Sequence, residues 1–141
     1  MKILFIVETH QGAIKAAEQL FPLALKMNGD IIALNISDIL IIKRISQSSD
    51  KSESEIAIEM EEDGWKYLYY IEEMAKNFGV KIFLEQEEGY FESVISKYVD
   101  KFQPGLLAIS CRVSGGTSEI KNMAKIIESI RNNIKCPMLL L

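Results

Sequence analysis

The sequence predicts an α/β protein with a five-stranded parallel sheet and helices on both faces. Two observations carry that prediction. Short apolar runs rich in Ile, Leu, Val and Phe recur five times along the 141 residues, at Lys2–Val7, Asp30–Ser37, Val80–Leu84, Leu106–Ser110 and Pro137–Leu141. Between them lie four longer segments whose apolar residues repeat at helical spacing. Strict β-α alternation puts strands side by side in parallel, and covering helices must then occupy both faces.

Each element has its own signal. Lys2–Val7 is nearly all apolar, as a strand buried on both faces should be. Gly12 opens a helix whose Ala13, Ala16, Ala17, Leu20, Phe21, Ala24 and Met27 share one stripe; Pro22 falls inside it and should kink it or leave one carbonyl unpaired. Asn28-Gly29 ends that helix, and Asp30–Ser37 is the second strand. Residues 38–55 read as a mobile loop, because the Ser-rich half from Ser46 to Ser54 has little to bury. The run Ile39–Ile42 at its start fits a strand extension, a half-buried turn or a partner contact, with local packing the simplest account. A long helix over Glu53–Phe78 carries Ile56, Met60, Gly64, Leu68, Ile71 and Ala75 on one stripe and ends at Gly79. Glycine inside a helix costs about 1 kcal/mol against alanine, so Gly64 points to close backbone packing. Val80–Leu84 is the third strand, with Glu85–Glu88 as its acidic end. A helix from Gly89 to Phe102 is broken by Pro104-Gly105, strand four follows, and a helix over about Ser118–Ile134 leads into strand five.

Composition narrows the function. One domain covers the chain, and its length suffices for a core without metal or disulfide support. The net charge of −4, with no Lys/Arg-rich run, argues against nucleic acid as a partner. No apolar stretch approaches a membrane span, and Met1-Lys2 leads straight into a strand without signal-peptide features, so a cytoplasmic protein is expected. Cys111 and Cys136 fall at opposite ends of parallel strands, too far apart for a disulfide, and both are expected as free thiols.

The chemistry should gather beyond the carboxyl ends of the strands, where strand order reverses. The first strand supplies Glu8 and Thr9, the second Ile36. If the order is 3-2-1-4-5, the fourth supplies Ser110 and Arg112 on the other side of the reversal. Ser114, Gly115, Gly116, Thr117 and Ser118 then lead into the last helix. Glycines let backbone N–H groups approach an anion, the helix dipole favours negative charge, and Arg112 adds a cation. The same residues also compose an ordinary helix cap, which is the commoner use. His10, the single histidine, reads as a solvated loop residue, and Cys111 as a packing residue. No phosphate loop, dinucleotide fingerprint, zinc spacing or nucleophile elbow is present, so neither a catalytic residue nor a metal site is assigned.

Taken together, Met27–Asp38, the variable stretch and long helix after it, Gly89 at a helix start, Leu106–Arg112 and Cys136-Pro137 before aliphatic residues resemble the universal stress protein family over nearly the whole chain. The resemblance implies a sheet of order 3-2-1-4-5, a homodimer through the fifth strand (Met138–Leu141) and a stress-linked regulatory role. An apolar edge strand is an aggregation hazard unless paired, which supports the dimer independently. ATP-binding members carry Gly-x-x-Gly and, after a fixed gap, Gly-Ser/Thr. Laid on this chain, those positions fall at Ser110, Val113 and Met123-Ala124, and none is glycine. Glu8 stands where aspartate is usual. The expectation is therefore a dimeric, non-catalytic stress-response regulator lacking the usual ATP motif. The alternative is an ATP- or AMP-binding protein, a slow ATPase at most, using Gly115-Gly116 as a variant loop. A phosphorylation-switched receiver domain fits less well, because strand three ends in glutamates and no lysine follows strand five.

Overall fold

Alternate residues of the first strand face opposite layers, and this sets the architecture. In the computed structural model, β1 (Lys2–Ile6) sends Ile3 and Phe5, with Val7 just beyond, toward α1 (Gln11–Lys26) and α3 (Glu53–Phe78). Leu4 and Ile6 point the other way, toward α4 (Phe91–Phe102) and α5 (Thr117–Asn133). The structure describes residues 1–110 and 117–141, the backbone alone over 117–123. β1 lies between β2 (Asp30–Asp38) and β4 (Leu106–Ile109); β3 (Ile82–Gly89) and β5 (Met138–Leu140) form the edges, giving the order β3-β2-β1-β4-β5, all parallel. The five-stranded sheet and its expected order are both present. Phe5, Phe21, Leu20, Leu34, Ile71 and Ile95 are among the fully buried side chains, each stabilising the fold by roughly 1.5–3 kcal/mol relative to exposure.

Two local expectations need correction. The stretch 38–55, read as a loop, begins with a helix, α2 (Ile39–Gln47), leaving only residues 48–52 before α3. Asp38 caps α2 by accepting from the Leu40 N–H at 3.0 Å, and α2 buries Ile42 where it packs on α3 and β2. The Ile39–Ile42 run is thus the start of an amphipathic helix. Next, β3 continues to Gly89: Glu85–Glu88 pair in register with Leu34–Ser37 and extend the ladder. Backbone hydrogen bonding to a buried neighbour outweighs the poor strand propensity of glutamate. The helix α1 continues through Pro22, which sits on its exposed face.

Gly64 behaves as its position suggested. It is buried where α3 crosses β2, and a Cβ there would lie 2.7 Å from the Asn35 Cγ and closer still to its Oδ1. Only a residue without a side chain lets α3 settle over Asn35.

Candidate functional site

β1 and β2 both end below a cavity of about 250 Å³. The end of β1 contributes Ile6, followed by Val7, Glu8 and Thr9; β2 contributes Asn35, Ile36, Ser37 and Asp38. Its walls are completed by Ile41 of α2, Met60 and Asp63 of α3, Phe91 at the start of α4, and Ile126 of α5. This is the carboxyl-end crevice expected of an open parallel sheet.

The floor is held by a polar relay that sequence reading missed. Asn35 is only 3% exposed, and its Nδ2 donates to the Val7 carbonyl at 2.8 Å. Val7 N–H in turn donates to Leu34 O at 2.8 Å, so both backbone groups of Val7 are fixed where β1 opens into its loop. From β3, the Gln86 side-chain amide donates to Ser37 Oγ at 2.8 Å and approaches Asn35 Oδ1 at 3.4 Å. Buried amides without partners are costly, so this chain of bonds holds the two strand ends to one geometry.

His10 is a structural residue rather than a solvated one. It is the N-cap of α1: its Nδ1 accepts from the Gly12 N–H at 2.9 Å, which leaves the proton on Nε2, 2.6 Å from Glu8 Oε2. Gly12 makes the fold-back feasible, since a Cβ there would lie 2.6 Å from Nδ1. Glu8 thereby faces the cavity with a fixed neighbour.

Of the residues singled out from sequence, Glu8, Thr9 and Ile36 line the cavity together. Ser110 follows β4 and is 2% exposed; its Oγ has no partner among the described residues, and it is not one of the cavity's lining residues. Arg112, Ser114, Gly115 and Gly116 lie outside the described residues, as does Cys111. Thr117 and Ser118 open α5 and are described by backbone alone. Cys136 is a free thiol whose partial burial pushes its pKa up, which suits packing better than nucleophilic chemistry. Three carboxylates, Glu8, Asp38 and Asp63, line the cavity, but among the described residues no three His, Cys, Asp or Glu side chains are placed to share a metal ion. No helix of the described residues is long and apolar enough to cross a membrane.

The model of the universal stress protein family matches residues 1–141, the whole chain. The chain belongs to that family. A universal stress protein of Methanocaldococcus jannaschii is 22% identical over 138 residues, covering 98% of this chain and 79% of its own length. The structure of a family protein from Burkholderia pseudomallei superposes with a TM-score of 0.73 at 16% identity, covering 99% of this chain and 94% of the other. A universal stress protein from Arabidopsis thaliana, solved with AMP bound, gives a TM-score of 0.63 at 15% identity over 100% and 90% of the two chains. Within the universal stress protein fold, the lining residues missed from sequence include Asn35, Asp38, Met60, Asp63 and Phe91. Asn35 had a readable signal, an amide inside a mostly apolar strand; the others lie on β2, α3 and α4, which meet only in three dimensions.

Proposed function

We propose that this universal stress protein is a cytoplasmic, homodimeric regulator that performs no catalysis and does not hold ATP tightly. The observation that carries the reading is the charge of the crevice: among the described residues, its lining includes Glu8, Asp38 and Asp63 and neither lysine nor arginine. A phosphate brought to about 6 Å from one carboxylate is opposed by roughly 3 kcal/mol at an effective dielectric near 20. A triphosphate would meet that repulsion several times. Ser110 in place of the first glycine of the ATP pattern, with its side chain already buried, supports the same reading. The dimer is supported by β5, which pairs with β4 on one side and ends the sheet, with Leu140 47% exposed.

A second reading has its own support. The Arabidopsis relative solved with AMP bound favours an adenine-nucleotide site, ATP or AMP, in which Arg112 and the Gly115-Gly116 loop replace the missing glycines and hydrolysis is slow at most. The two readings separate when freshly purified protein is heat-denatured and its supernatant resolved by anion-exchange chromatography. The first reading predicts no nucleotide; stoichiometric AMP, ADP or ATP would replace it with the second.

A further inference from the structure

Resting on the reading that this crevice does not serve ATP, we propose that the cavity receives a small protonated amine carried on a hydrocarbon or aryl body. Its volume of about 250 Å³ equals the share of some eight waters in the liquid, the scale of a molecule of about eight to ten non-hydrogen atoms. Much of the lining is hydrocarbon and aromatic: Ile36, Ile41, Met60, Phe91 and Ile126 come from five different elements. Such a lining favours a ligand that gives up apolar surface to it.

Among the described residues, the charged groups of the lining share one sign. Asp38 stands at the end of β2, where one carboxylate oxygen caps α2, and Asp63, its side chain 60% exposed, stands on α3, so acidic residues of two elements line the same cavity. No cationic side chain is among the described lining residues; Lys66, outside the lining, pairs with Asp63 at 3.8 Å across solvent-exposed surface, where such a pair is weak. The absence of a three-ligand cluster among the described residues disfavours a metal ion, whereas an ammonium needs only separated acceptors. Phe91 adds an aromatic face that attracts a cation near it. An anionic or neutral molecule of the same shape would gain the walls but not the rim.

The test uses three molecules of nearly one shape and different charge: phenethylamine, phenethyl alcohol and phenylacetate. Each is titrated into the full-length protein while backbone amide NMR shifts are followed, with ATP·Mg²⁺ in a parallel titration. The amine is expected to shift the amides of Thr9, Ser37 and Ile41 and to bind about tenfold tighter than the alcohol, with phenylacetate weakest. In Asp38→Asn/Asp63→Asn, chosen because asparagine also caps helices, the preference for amine over alcohol should vanish while the alcohol still binds. Equal binding of all three, a preference for phenylacetate, or no response to any of them overturns the proposal. If ATP moves those amides with micromolar affinity, the ATP-free reading fails. If ATP is inert and the amine is too, only the present inference fails.

Discussion

Asn35 and Gly64 meet where a helix crosses the second strand of the sheet, and the relay from Gln86 to the Val7 carbonyl passes through that contact. Gly64→Ala gains about 1 kcal/mol of helix propensity but drives a methyl into the Asn35 amide, whose displacement breaks a buried hydrogen bond. Overpacking should win, with a net loss of about 1–3 kcal/mol in urea unfolding, and a raised midpoint would contradict the relay. Tyr98 makes a pH-dependent claim at the same scale. Its phenol is pushed up to about 12, by burial first and then by the charges of Glu85 and Glu87. Between the ordinary phenol value near 10 and about 12, the unfolded chain loses this proton while the folded chain keeps it. The stability this group contributes is complete below pH 10 and is lost as pH rises through that window. Tyr98→Phe should flatten this part of the stability-versus-pH curve; unchanged slopes would place the phenol in water.

Among the elements, the central strands and the long helices were legible: β1 and β4 are continuous apolar runs, β2 is one interrupted by Asn35 and Ser37, and α1 and α3 show clear stripes. α2 was not legible, because four consecutive apolar residues, Ile39–Ile42, carry no period of their own. Its helical character comes from Asp38 as cap and from Ile42 finding cover, while Leu40, Ile41 and Ile45 stay exposed. The far half of β3 was hidden for a related reason: its glutamates are drawn into the ladder by β2, a pairing that local propensity does not encode. The two sheet edges differ in chemistry. β3 bears Glu85, Glu87 and Glu88, which discourage strand addition, whereas β5 is Met138–Leu140 with nothing to blunt it. Leu140→Lys should therefore convert a dimer to monomer in light scattering coupled to size exclusion. An unchanged mass would remove β5 from the interface.

For the whole molecule, the two helical layers enclose a sheet whose carboxyl end opens into a cavity whose described lining is mostly apolar and includes three acidic residues. The location was legible, since strand topology alone places a crevice there, and Glu8, Thr9 and Ile36 follow from being at strand ends. The character of the site was not: Asp38, the Met60–Asp63 turn of α3 and Phe91 are far apart in sequence, and nothing in their local surroundings marks the three segments as neighbours. The fold is shared with relatives that bind nucleotide, but the charge of this crevice is a property of these side chains, and fold alone does not fix function. The measurement that tests this most directly is a calorimetric titration of ATP with Mg²⁺ into freshly purified, nucleotide-free protein. The account predicts no binding heat at micromolar ligand; saturable binding at micromolar or tighter affinity would contradict it.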